Sequence, residues 1–190
     1  MKHTKTKMMV EGAIMIALAT VLSLVKVFEL PWGGAVTLLS MLPICLFSIK
    51  YGVKKGLAVA FVYALLQMFL SLGSVLSWGL SAGTLLACLL IDYLAAFTVL
   101  GFAGAFRSKG VPGWITGTAF AIFLRFVCHF VSGVVLWHSY GELWNGFSTD
   151  NTYLYSLLYN GAYMLPEMIF TCVAAVLLYK LPQTRKMLTE

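Results

Sequence analysis

Apolar residues in this chain come as long unbroken runs separated by short polar gaps, not in the alternation of a strand or the one-sided spacing of a surface helix. Six runs can be drawn, at about 8–28, 34–49, 56–72, 83–106, 114–137 and 153–181. A helix rising 1.5 Å per residue needs about 20 residues to cross a hydrocarbon core of about 30 Å. The pattern therefore predicts an all-α integral membrane protein of six transmembrane helices, forming a single domain over residues 1–190. The second run is short and contains Pro43, so it must draw on its flanks or be irregular. The first follows Met1-Lys2-His3-Thr4-Lys5 and continues to Phe28 without a small-residue cleavage site, which predicts a retained helix rather than a signal peptide.

The polar gaps orient the bundle. Lys2, Lys5 and Lys7 precede the first run, and Lys50, Lys54 and Lys55 separate the second from the third. Arg107 and Lys109 separate the fourth from the fifth, and Lys180, Arg185 and Lys186 close the sixth. Eleven of the thirteen basic residues thus fall on one side of a six-span arrangement, while the other side holds Glu29, Glu142, Asp150 and Lys26. By the positive-inside rule both termini are cytoplasmic, in a multi-pass protein of a prokaryotic cytoplasmic membrane. Composition agrees: 61% of residues are hydrophobic, 11% are charged, and the mean hydropathy is +0.90. The net charge of +6 arises from these gaps and forms no basic face with interleaved aromatics, so nucleic acid is not a partner. Cys45, Cys88, Cys128 and Cys172 sit in separate apolar runs, and Cys128-His129 are sequence neighbours that point apart on a helix, so no metal site is expected.

An ionisable side chain in mid-membrane costs roughly 2.5–3.5 kcal/mol on insertion scales and needs a partner or a function. Asp92, Arg125 and Glu167 qualify; with His129 neutral they sum to one negative charge, which favours a cationic ligand or a proton. Arg125 is expected to be held by Asp92, Glu167 or both. Glu11 and Lys26 lie near run ends, where they can snorkel. In the fifth run Arg125, His129, Gly133 and Trp137 recur every four residues on one helix face. They offer a charge, an imidazole, a gap for close approach and a flat π surface. Taken singly, each has a structural role open to it: a core histidine, a packing notch, an interfacial tryptophan. Asp92-Tyr93 lies at mid-depth in the fourth run. Tyr155 and Asn160 lie in the outer half of the sixth, where an amide can present donor and acceptor to a heterocycle. Pro166-Glu167 marks a kink beside a charge. The segment from Glu29 to Thr37, with Gly33-Gly34, is read as an outer loop or lid; Trp32, Trp78 and Trp144 are read as interfacial belt residues. Ala13 and Ala17, one turn apart in the first run, form a small-residue notch where another membrane helix can pack closely.

There is no Walker lysine, HExxH, GxSxG or paired nucleophile and base, so neither an enzyme nor a cofactor is expected, and active transport would need outside power. Taken together the residues are familiar. The chain resembles the thiamin-specific substrate-binding (S) component of energy-coupling-factor (ECF) vitamin transporters along its whole length. The resemblance rests on the stretch from Gly33 to Ile44, on Asp92-Tyr93, on the Arg125/His129/Gly133/Trp137 stripe with Ser139-Tyr140, and on Tyr155 followed by Asn160. It implies high-affinity capture of extracellular thiamin and docking on a transmembrane coupling subunit driven by two ATP-binding subunits. It also implies that Asp92, Tyr93, Arg125, His129, Gly133, Trp137, Tyr155 and Asn160 face the ligand and that Ala13 and Ala17 form the docking motif. The chain departs from that pattern with Asp92 in place of Glu, Arg125 in place of Lys, and Gly34 and Leu38 in place of a tryptophan and a carboxylate. The residues by themselves leave two other readings open. One is an autonomous proton-coupled permease relaying through Asp92, Arg125 and Glu167; the other is an intramembrane enzyme with Asp92 and Glu167 as paired carboxylates.

Overall fold

The computed structural model describes residues 5–30, 33–144 and 146–189; Lys2 and Trp32 lie outside the described residues. Helix α1 (Lys5–Leu24) is followed by an antiparallel hairpin of β1 (Lys26–Glu29) and β2 (Ala35–Thr37). Next come α2 (Leu42–Tyr51) and α3 (Val53–Ser77). The next rod begins as α4 (Ala82–Cys88) and widens into a π-helical stretch, Leu89–Ala95. It passes through the short α5 (Ala96–Thr98) and tightens to a 3₁₀ stretch, Val99–Lys109. Helix α6 (Gly110–Ser132) also ends in a π-helical turn, Gly133–Trp137. A second hairpin, β3 (Gly141–Trp144) with β4 (Phe147–Thr149), leads to α7 (Thr152–Lys180) and α8 (Pro182–Thr189). Among the described residues, four stretches are long and apolar enough to cross a bilayer: Lys5–Leu24, Val53–Ser77, Ala82–Trp137 and Thr152–Lys180.

Two expected boundaries are corrected. The first helix stops at Leu24 rather than Phe28, because Lys26, Phe28 and Glu29 pair with Thr37, Val36 and Ala35. The second span is helical only from Leu42, with Pro43 in the first turn where its missing N–H leaves no bond unmade. Between the strands Gly33 adopts φ 90°, and a tight turn at Leu39 (φ 60°) redirects the chain into α2. What reads as one apolar run is thus a surface hairpin plus a short helix, since tertiary pairing overrides hydropathy there. Helix α7 starts on Asn151, whose side-chain oxygen accepts from Tyr153 N (3.0 Å) and Leu154 N (3.2 Å), and runs as one helix through Pro166.

The half of the bundle bearing the chain termini is closed by small residues. A Cβ added to Gly101 would lie 2.4 Å from Leu57 N, and one on Gly117 would lie 2.1 Å from Ala103 O. Backbones therefore touch where α3 and α6 meet the 3₁₀ stretch. Ser48 ties this layer, donating to Gly101 O (2.5 Å) and accepting from Gly104 N (3.0 Å). Trp114, 2% exposed, packs edge-on to Tyr179, and α8 tucks Leu188 under the bundle. Glu11 does not merely snorkel: it accepts from Lys50 Nζ and Tyr51 Oη, both at 2.8 Å, binding α1 to α2. Otherwise α1 buries only Gly12 and Ala19, and Ala13 and Ala17 are exposed on its outer face.

Candidate functional site

The other half of the bundle is hollow. A cavity of about 730 Å³ is walled by β2, α3, the π-helical stretch of the fourth rod, α6 and α7. It brings together Asp92, Tyr93, Arg125, His129, Gly133, Trp137, Tyr155 and Asn160, all of which line it. Ala13 and Ala17 lie apart from it, on α1.

Asp92 is the hub. Its Oδ1 meets His129 Nδ1 at 3.0 Å, and its Oδ2 accepts from Ser132 Oγ (2.5 Å) and Trp137 Nε1 (3.4 Å). Arg125 Nε donates to His129 Nε2 at 3.4 Å, so that nitrogen is the acceptor and the ring proton sits on Nδ1, donated to Asp92. The direct Arg125–Asp92 ion pair expected from sequence is therefore replaced by a relay with a histidine between them. The guanidinium Cζ lies over Phe97, 4.0 Å from the ring centroid, where a cation is favoured. Wide π turns carry both Asp92 and Trp137. In an α-helix a stripe spaced by four drifts around the axis. A π turn rotates less per residue and offsets that drift, which keeps Trp137 over the cavity.

Glu167 is 3% exposed and also does not pair with Arg125: its Oε1 accepts from both the backbone N–H and the hydroxyl (2.7 Å) of Thr37. This bond, with Gly34 N donating to Tyr159 Oη (3.2 Å), fastens the β1–β2 hairpin to α7 as a cavity wall. A Cβ on Gly34 would lie 2.8 Å from the Tyr163 ring, so tyrosines fill the space that a larger residue would need.

Two sequence-based roles change. Asn160 is already bonded at both ends of its amide: Nδ2 donates to Ser156 O (2.9 Å) and Ser156 Oγ (3.1 Å), and Oδ1 accepts from Tyr163 Oη (2.9 Å). It holds the wall together rather than presenting a free edge. Gly133 is a packing notch, since its Cβ would lie 2.3 Å from Ser156 Oγ on α7.

Other lining residues were not singled out from sequence. Gln67, Ser71 and Ser74 on one face of α3, with Trp78 just past its last residue, follow at spacings of four, three and four, and all line the cavity. That helical periodicity was present in the sequence, but serines in apolar helices carry little weight singly. Trp78, read as a belt residue, stands edge-on to Trp137 with ring centroids 5.5 Å apart. Trp144 stays outside, 43% exposed on the β3–β4 hairpin. Tyr159 and Tyr163 extend Tyr155 into a ladder of rings about 6 Å apart. The result is a carboxylate hub ringed by aromatics, an environment for a flat cation bearing hydrogen-bonding edges.

The model of the thiamine transporter protein family matches residues 9–187. A protein named thiamine transporter ThiT from Bacillus subtilis (strain 168) is 31% identical over 189 residues, covering 90% of this chain and 89% of its own. One of the same name from Lacticaseibacillus paracasei is 29% identical, covering 96% and 92%. The solved structure of ThiT from Listeria monocytogenes superposes with a TM-score of 0.73 at 20% identity over 96% of this chain and 98% of that one, a shared fold.

Proposed function

The chain belongs to the thiamine transporter protein family, and from that premise we propose that it is the thiamin-binding S component of an ECF transporter. It is a multi-pass protein of the bacterial cell membrane. In the proposed arrangement six spans place both termini in the cytoplasm, as the positive-inside distribution of Lys and Arg requires. The cavity opens outward and takes thiamin from outside the cell.

The observation that carries this reading is the Asp92 hub within its aromatic ring. Thiamin joins a cationic thiazolium to an aminopyrimidine and a hydroxyethyl arm. Trp137, Tyr93 and Tyr155 offer π faces to a cation, and the Asp92 carboxylate supplies charge and acceptor lone pairs where an amine needs them. Arg125, His129, Gly133 and Asn160 act behind them, holding the hub and closing the wall.

Capture and uptake are separate tasks in this proposal. The exposed Ala13 and Ala17 form the face that docks on the transmembrane coupling subunit, which two ATP-binding subunits drive. Calorimetry of the detergent-purified chain against a panel of vitamins tests capture: thiamin should bind and the others should not. Ala13→Trp with Ala17→Trp tests docking. Uptake in cells should be abolished while thiamin affinity of the isolated chain stays within about tenfold, or about 1.4 kcal/mol. Uptake of thiamin by the purified chain alone in vesicles, driven by a pH gradient, would instead make it an autonomous permease.

A further inference from the structure

The α3 wall contains a hydrogen-bond acceptor that the packing leaves unused. Gln67 is 8% exposed and lines the cavity. Its Nε2 donates to Ser23 Oγ at 3.0 Å, and Ser23 Oγ donates to the main-chain oxygen of Thr20 at 2.7 Å. A hydroxyl has one proton. Because Ser23 gives its proton to Thr20, it can only accept from Gln67, and this sets the orientation of the amide. The NH2 group faces α1, and the carbonyl Oε1 is turned away from it. Among the described residues no donor reaches Oε1, yet it is not sealed off as the hydroxyls of Thr98, Thr118 and Thr171 are. An acceptor in a buried wall costs free energy unless something in the cavity donates to it.

We infer that Gln67 is a ligand-recognising residue: its Oε1 accepts a hydrogen bond from an N–H or O–H group of the bound molecule, and Ser23 is the positioning residue that aims it. The inference rests on the thiamin reading above. Thiamin carries two such donors, the amine on its pyrimidine and the hydroxyl of its hydroxyethyl arm; the thiazolium ring carries no N–H or O–H. Gln67 thus selects for one of these two groups from the α3 wall of the cavity.

The test is calorimetry on the full chain, wild type against Gln67→Met and Ser23→Ala. Met matches the length of Gln but offers only a weakly accepting sulfur in place of the carbonyl, and Ser23→Ala leaves the amide free to turn. The ligands are thiamin, its analogue with oxygen in place of the amine, and its analogue lacking the hydroxyl. Thiamin affinity should fall roughly 10- to 100-fold in Gln67→Met, and by a smaller factor in Ser23→Ala. One analogue should bind wild type and Gln67→Met within about twofold of each other, which identifies the donor that Gln67 reads. The inference is overturned if Gln67→Met binds thiamin within about twofold of wild type, or if both analogues lose as much as thiamin does. Should ligand-free melting reveal Gln67→Met to be misfolded, the same comparison on Ser23→Ala decides. If wild type fails to bind thiamin at all, the proposed function falls and this inference with it; wild-type binding without a Gln67 effect sinks the inference alone.

Discussion

The two halves of this bundle solve opposite problems with similar residues. In the closed half, glycines at 101, 104 and 117 bring backbones into contact, and their missing side chains are filled first by neighbouring main chain. In the hollow half, serines and aromatics keep helices apart, and the glycine at 133 is filled by a serine side chain. Tight packing stands in for the hydrophobic drive that lipid does not supply. Concentrating it at one end lets the other end stay open around a polar cavity without the bundle falling apart. Small residues in a membrane helix therefore do not by themselves mark a binding site.

That contrast can be broken most severely from the closed side. Gly101→Val or Gly104→Val would drive side-chain atoms into the backbone of Leu57 or Ser48. Overpacking of this kind costs about 3 kcal/mol or more, so these variants should lose monodisperse protein in detergent chromatography. Gly133→Ala meets side chain rather than main chain, Ser156 Oγ at 2.3 Å and Ser156 Cβ at 3.0 Å, and should still yield folded protein. Equal damage from both would dissolve the distinction between the halves.

The next effect belongs to the hub. Asp92→Ala removes the acceptor of His129, Ser132 and Trp137. Thiamin affinity should fall about 100-fold or more by calorimetry. The closed half is untouched, so the variant should still co-purify with coupling subunits. Failure to assemble would mean that the halves are not independent.

A smaller change is expected in fluorescence. A cation stacked on Trp137 should quench its emission, and Trp78 at 5.5 Å should share the signal. Trp137→Phe should remove most of the thiamin-induced quenching, whereas Trp144→Phe should leave it intact, since Trp144 lies outside the cavity. Quenching unchanged in Trp137→Phe would return that residue to the role of a membrane-interface anchor.

The smallest effect is a coupling. Since His129 stands between Arg125 and Asp92, Arg125→Leu and Asp92→Asn should be non-additive in melting experiments by only about 0.5–1 kcal/mol. The coupling should vanish in a His129→Leu background. Coupling that persists without His129 would favour a direct ion pair.

Hydropathy by itself determined the class of this protein, because burying peptide groups in lipid leaves the chain few options besides helices. The fifth apolar run emerged as helix, and the four-residue spacing placed Arg125, His129 and Trp137 on one face correctly, since helical periodicity is local. The residues Asp92, Tyr93 and Tyr155 were legible as polar groups in apolar surroundings. What only the tertiary structure decided is how those groups are spent. Arg125 and His129 share one face of α6, but that His129 rather than Arg125 reaches Asp92 depends on a 3.0 Å distance between different helices, which no spacing along one helix encodes. The hairpin hidden in the 25–37 stretch likewise depends on Glu167, 130 residues away, accepting from Thr37. Asn160 and Gln67 are the clearest pair. Both are amides on apolar helices, yet the first is bonded at both ends by Ser156 and Tyr163 while the carbonyl of the second meets no donor among the described residues, because a hydrogen-bond network has a direction that only its assembled partners set.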